Sequence, residues 1–175
     1  CTKERLSSMN IFYLSEWASE AAQMHCDKHV NGMIKETVQI MSTAHRVLDG
    51  DEWADKMGLV KTTHVNHPST VWARSDVDNY TWMLELLVNL CHEKRRRWPK
   101  NKPHKYESLI HALSVVPDNI RDGNHTAPPQ CMPDEYKCDN TVQAYRNYYH
   151  GEKPFAVWKY TDAPSWWKGY RYYEA

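Results

Sequence analysis

HCDKHVNGMIKETVQIMSTAHRV, residues 25 to 47, carries two stripes at once, and its reading decides the fold. At about 100° per residue, Val30, Met33, Ile34, Thr37, Ile40, Met41 and Ala44, with Leu48 just beyond, fall on one broad apolar arc, the pattern of a helix facing a core. Along the rim of that arc run His25, His29, Gly32, Glu36 and Thr43, at spacings that stack them into one row. A solvated face would favour Lys and Glu, and a pure core would favour Leu. The row therefore reads as the wall of a site, with Gly32 leaving room for a group to approach the backbone. Three readings of the row stay open. His25 and His29 have the i, i+4 spacing of metal ligands on a helix, with Cys26 or Asp27 nearby and a third ligand sought from His64 or His67, although the Glu of an HExxH motif is missing. A partly buried Glu36 near His29 suits proton transfer. A helix seam with satisfied histidines is the structural alternative. No metal is assigned.

Outward from this stretch, the expected helix runs from about Trp17 to Val47, capped by Ser15 or Ser19 and stopped at Gly50, which can take a positive φ. MNIFYL, Met9 to Leu14, precedes it as an extended or turning apolar segment, and residues 49 to 65 form a loop or short helical turn. Pro68 fits the first position of a second long helix, whose apolar arc is Val77, Tyr80, Met83, Leu84, Leu87, Val88, Leu90 and Cys91, and which Pro99 stops. It is the antiparallel partner of the first. A shorter helix is predicted from Tyr106 to Val116, and another, capped by Asp139 or Asn140, through TVQAYRNYYH to Gly151. Between them, Pro117 to Lys137 has no helical period and reads as a functional or wrapping loop. The expectation is an all-α, compact single-domain bundle around two long antiparallel helices over residues 1–175. Residues 1–8 stand as an N-terminal extension and residues 154–175 as an aromatic tail.

The chain has 175 residues, 41% of them hydrophobic and 25% charged, which suits one globular core. No apolar run approaches the length of a bilayer span and no signal segment opens the chain, so a cytoplasmic protein is expected, in the host cell if phage-encoded. Five scattered cysteines read as free thiols. Formal net charge is zero, yet Lys94, Arg95, Arg96, Arg97, Lys100, Lys102 and Lys105 fall within twelve residues that contain no acid. That run, with Trp98 inside it, and YRNYYHGEK, with Tyr145, Arg146, Tyr148, Tyr149 and Lys153, mix cations with aromatic rings as a nucleic-acid surface does. In THVNHPSTVWAR, Asn66 and His67 lie at a helix start suited to an anion, with Arg74 in the same polar cluster.

Four stretches in register resemble one family: Asp27-Lys28-His29-Val30, then Lys35-Glu36, then NHPSTVWAR with the apolar helix that ends Cys91-His92-Glu93, and finally YRNYYHGEK. They are similar to the small all-helical phage-type pyrimidine-dimer DNA glycosylases with AP lyase activity and their bacterial relatives. The resemblance spans most of residues 9 to 153. It implies that Glu36 is the catalytic carboxylate, that His29 lines the pocket, that Lys35 and the position of Gln39 hold DNA phosphates, and that YRNYYHGEK grips damaged duplex. Gln39 is neutral, a departure from that clamp. In the family a free N-terminal α-amine at the start of the segment resembling MNIFYL attacks sugar C1′ and forms a Schiff base, and a base leaves the stack. Here CTKERLSS precedes Met9, and Met before bulky Asn10 is poorly removed.

The function expected is therefore an enzyme acting on a pyrimidine or its sugar in double-stranded DNA. Its catalytic residues are Glu36 and His29, its DNA-contacting residues are His25, Lys35, Gln39, Asn66, His67, Arg74, Arg95, Arg96, Arg97, Trp98, Tyr145, Arg146, Tyr148, Tyr149 and Lys153, and it is a monomer without cofactor. A second expectation is an amino acid:DNA transferase that attaches an amino acid to an activated 5-hydroxymethyluracil, with a free amino acid as co-substrate supplying the amine. A third is a DNA-binding protein without chemistry.

Overall fold

The computed structural model describes residues 10–172, so the extension 1–8, Cys1 and Met9 lie outside the described residues. The described residues form seven α-helices, two 3₁₀ turns and no strands. Helix α1 (Ala18–Met24) leads into α2 (Asp27–Asp49), then α3 (Glu52–Lys56), α4 (Pro68–Arg74) and α5 (Val77–Arg97), followed by α6 (Ile110–Leu113) and α7 (Thr141–Glu152). The long helices α2 and α5 pack together and run antiparallel. The start of α2 meets the end of α5 through Asp27 and Arg97, and its end meets the start of α5 where His45 Nε2 lies 2.9 Å from the Tyr80 hydroxyl. The all-α bundle expected from the periodicity is what the chain forms.

Each of the two expected long helices is broken once. The first ends at Met24, and His25 and Cys26 are extended, with ψ of 132° and 162°, before α2 starts. A helix end leaves carbonyls without partners, and here tertiary donors supply them. The Arg97 guanidinium donates to Gln23 O and His25 O, Trp158 Nε1 donates to Met24 O, and the Asp27 amide donates to Val157 O. The second long helix breaks at Ser75-Asp76. The Asp76 carboxylate accepts from the Asp78 amide and the Ser75 hydroxyl donates to Trp72 O, a local N-cap that the sequence does carry.

The apolar arc of α2 is buried as its spacing predicts, from Val30 through Met33, Ile34, Thr37, Ile40 and Met41 to Ala44. Gly50 ends it at φ 83°, in the left-handed region that favours glycine. Ser15 does not cap α1 conventionally; its hydroxyl accepts from the Trp17 amide and donates to Glu20. The predicted Tyr106–Val116 helix is shorter and mixed, a 3₁₀ turn Lys105–Leu109 continuing into α6, with Val115 and Val116 exposed. Asn140 caps α7 by accepting from the Gln143 amide. The proline-rich segment does wrap: the Asp118 and Asn119 amides bond Asp49, Thr126 bonds Trp72 and Asn79, and the Cys131 carbonyl accepts from Asn10.

Two expected surface features are instead core. Arg97 has a fully buried side chain that pairs with Glu93 at 2.9 Å and Asp27 at 3.1 Å. Tyr145 and Tyr149 are 0% exposed and Tyr148 is 5% exposed, so α7 turns its tyrosines inward. The tail past α7 packs as well: the Trp167 ring stacks on His150 at 4.9 Å and 5°, and Trp166 meets the same imidazole edge-on.

Breaking a buried ion pair by removing one partner leaves the other charge uncompensated. Arg97→Ala is expected to lower the unfolding free energy by about 3–5 kcal/mol, measured by urea denaturation. Arg97→Lys is expected to recover less than half of that, because an ammonium cannot serve two carboxylates and two carbonyls with the same fork.

Candidate functional site

Residues 10 to 14 have no regular secondary structure and turn tightly at Tyr13, where the Leu14 amide donates to Phe12 O at 2.9 Å, with Ile11 and Leu14 at 0% exposure. Asn10 is pinned at the start of this run: its side chain donates to Cys131 O, accepts from the Ile11 amide at 2.8 Å, and takes a bond from the Tyr145 hydroxyl. The pinning brings the Asn10 main-chain nitrogen to 3.4 Å from a Glu36 carboxylate oxygen. Next to it opens a cavity of about 320 Å³ lined by Asn10, Phe12, Lys28, His29, Gly32, Met33, Glu36, Lys153 and Phe155. The chain has only two phenylalanines, and both are in this wall. Gly32 has nothing within 4 Å of the place a Cβ would take, so the helix backbone is open toward the cavity as its row position suggested.

Burial sets the charge state of each ionisable group here. Glu36 is half-buried on α2, and desolvation raises its carboxyl to about 7, against smaller opposing effects of the Asn10 amide, Lys153 and Lys35. A carboxyl with that value exchanges a proton readily at neutral pH. His29 moves the other way, down to about 2, again chiefly by burial, with the neighbouring His25, Lys153 and Lys28 adding to it. Its Nδ1 lies 2.6 Å from the Tyr149 hydroxyl, which already accepts from the Cys26 amide. The hydroxyl's single proton is best used in that short contact, so Nδ1 accepts and the imidazole's own proton sits on Nε2. His29 stacks on Phe12 at 4.3 Å and 14°. It is a neutral imidazole in an aromatic wall.

Lys153 follows the last turn of α7, where Pro154 forbids continuation. Its Nζ stands 4.3 Å from the Tyr148 ring centroid and 5.3 Å from that of Phe12, and desolvation lowers its ammonium below the usual lysine value. Lys28 sits over Phe155 at 4.2 Å.

Of the residues expected at the site, Glu36, His29, Gly32 and Lys153 come together. His25 does not: it belongs to the joint before α2, is 0% exposed, and donates from Nδ1 to Ala21 O. Its pKa falls to about 4, first by burial. The two imidazoles remain neighbours, with ring centroids 6.5 Å apart, yet no group of three or more His, Cys, Asp or Glu residues among the described residues is placed to hold a metal ion. Lys35 is exposed and Gln39 half-buried on α2, outside the cavity wall. Thr43 is buried and bonded to Thr63. His67 accepts from the Ser69 amide to cap a helix of seven residues, Arg74 donates to Val65 O, and Asn66 is exposed, so the second cluster is local architecture. The cavity residues missed from the sequence are Asn10, Phe12, Lys28, Phe155 and Met33, the last read only as part of the apolar arc. The scarcity of phenylalanine was the one signal pointing to two of them.

The basic run is also rearranged. Arg95 pairs with Glu107 and Arg96 with Glu93, leaving Lys94, Lys100, Lys102 and Lys105 without ion pairs among the described residues. Trp98 packs edge-on to Tyr160. His104, held below its ordinary value first by burial, also feels Lys94, Lys105 and Lys35, which puts two of the unpaired lysines, Lys94 and Lys105, near Lys35 of α2. Arg146 donates to Leu14 O and lies over Trp166. The four described cysteines are free, and no described helix is long and apolar enough to cross a membrane. Comparison with protein-family models, curated proteins and solved structures finds no match.

A carboxyl whose pKa is raised on folding adds stability in its protonated form, and that contribution is lost as pH rises from the unfolded value to the folded one. Between pH 4.5 and 7 the stability of wild type relative to Glu36→Gln is expected to fall steadily, then to level off toward pH 8, by on the order of 2 kcal/mol in all after allowing for partial exposure. Urea unfolding of both proteins across that range measures it; parallel curves would mean the carboxyl is not desolvated.

Proposed function

We propose that this protein is an enzyme acting on a pyrimidine nucleotide of double-stranded DNA, of the DNA glycosylase/AP lyase type, with Glu36 as its catalytic carboxylate. The observation that carries the reading is the closeness of Glu36, with a pKa of about 7, to the Asn10 nitrogen at 3.4 Å, at the edge of an aromatic cavity. That nitrogen is where the resembling family carries its amine. In this chain it is a peptide nitrogen, whose N–H steadies the Glu36 carboxylate.

The cavity suits a base taken out of the stack. Phe12 and Phe155 offer apolar faces without polar atoms to satisfy, and the neutral His29 offers one donor to a pyrimidine carbonyl. Glu36 in its acid form delivers a proton to the departing base, and in its base form removes one from the sugar. Phosphates flanking the flipped nucleotide meet Lys28 and Lys35 on α2 and the unpaired lysines from Lys94 to Lys105.

The transferase reading keeps one observation in its favour. Lys28 and Lys153 converge on the cavity with Glu36, a set able to hold an amino acid carboxylate while Glu36 takes a proton from its amine. In that reaction no bond forms between protein and DNA, so reduction with borohydride separates the two.

Glu36→Gln is expected to reduce release of base from ultraviolet-irradiated duplex at least a thousandfold while changing duplex affinity less than threefold. Activity within tenfold of wild type would remove Glu36 from the chemistry. Replacing Lys100, Lys102 and Lys105 by Gln is expected to flatten the slope of log K against log salt by about two to three, whereas replacing the paired Arg95 and Arg96 shifts it by less than about one. Fluorescence anisotropy with labelled duplex between low and physiological salt gives both slopes.

A further inference from the structure

We infer that the Nζ of Lys153 is the nucleophilic amine of this site, attacking C1′ of the nucleotide whose base occupies the cavity against Glu36. The inference rests on the glycosylase/lyase reading and names the group that the family's terminal amine would otherwise supply.

Four observations converge on it. Lys153 lines the same cavity as Glu36 and makes no ion pair within 4 Å among the described residues, so its amine is not held in a salt bridge. Two rings, Tyr148 at 4.3 Å and Phe12 at 5.3 Å, fix where Nζ stands. The groups facing it are Glu36, Glu152, Lys28 and the Cys26 thiol, and burial outweighs the acids, so a larger fraction of the amine is neutral and has its lone pair free than for a solvated lysine. The other nitrogen beside Glu36, that of Asn10, is an amide whose lone pair is delocalised into the carbonyl. Lys28, the other lysine in the wall, is exposed and sits over Phe155 on the outer side.

The step balances with the groups at hand. The Nζ lone pair forms a bond to C1′ while the glycosidic C–N bond breaks, its electron pair leaving with the base, which takes the Glu36 proton. The Glu36 carboxylate then accepts a proton from the alkylated ammonium and returns it to O4′ as the C1′–O4′ bond opens, leaving a protonated imine between Lys153 and C1′. Removal of a C2′ proton by Glu36 expels the 3′ phosphate with the C3′–O electron pair. Water hydrolyses the imine and restores the lysine. An abasic-site aldehyde enters the same imine directly with loss of water.

The test uses the full chain with two substrates, a duplex containing one abasic site and an ultraviolet-irradiated duplex, each with sodium borohydride added to reduce the imine. The expected result is a covalent protein–DNA adduct that tryptic mass spectrometry locates on Lys153, and a fall in trapping of at least tenfold in Lys153→Arg, which keeps the charge and shows an unchanged melting temperature. An adduct on the chain's N-terminal amine or on another lysine overturns the inference and leaves the glycosylase reading standing. Base release without any adduct does the same. Neither base release nor adduct in wild type overturns both.

Discussion

The buried guanidinium of Arg97 is the constraint on which the arrangement depends. It joins the end of α5 to the joint between α1 and α2 by pairing with Glu93 and Asp27 and donating to two carbonyls that the break in the helix leaves open. Without those donors the interruption at His25-Cys26 would leave buried carbonyls unpaired, at a cost of roughly 1–3 kcal/mol each. With them, α1 leaves the axis of α2, and the segment of residues 10–14 that precedes α1 runs back past α2 to bring Asn10 against Glu36. One ion cluster therefore fixes both the bend in the bundle and the geometry of the cavity some distance along the same helix.

The chemistry of that cavity follows from one cause acting on three groups of different type. Removal of water raises the Glu36 carboxyl, lowers the Lys153 ammonium and keeps the His29 imidazole neutral. In each case the neutral form is favoured. The cavity wall thus brings together a carboxyl that exchanges its proton near neutral pH, a lysine held below its usual value and a neutral imidazole. The aromatic residues create this dryness: Phe12 stacks on His29, Phe155 closes the mouth under Lys28, and Tyr148 and Tyr149 back the wall from α7.

The surface charges follow a different logic from their sequence order. Seven cations in one run look like a single patch, yet folding divides them. Arg97 becomes the core of the joint, Arg95 and Arg96 are matched to Glu107 and Glu93, and the lysines stay free. The division has a physical basis. The planar guanidinium serves several acceptors at once and tolerates burial, whereas the ammonium is strongly hydrated and stays in water. A stretch of basic residues is thus read better by residue type than by net charge.

Periodicity by itself determined that this chain is all-helical, that α2 buries the arc from Val30 to Ala44, that Gly50 and Pro99 end elements, and that Gly32 and Glu36 share the rim of a helix. Those are local properties, fixed by the geometry of 3.6 residues per turn and by the special backbones of glycine and proline. Asp76 also lay in plain view as a cap, its carboxylate bonding an amide two residues on. Only the tertiary structure decided the break at His25-Cys26, because its hydrogen-bond partners, Arg97, Val157 and Trp158, come from residues more than seventy positions away. It also decided that the tyrosines of α7 face inward, since a tyrosine's flat apolar ring suits a core and a wet surface equally well and its spacing does not separate the two. The meeting of Asn10, Phe12, Glu36, Lys153 and Phe155 belongs to the same class. A cavity is a statement about which distant segments touch, and helical spacing carries information about one segment at a time.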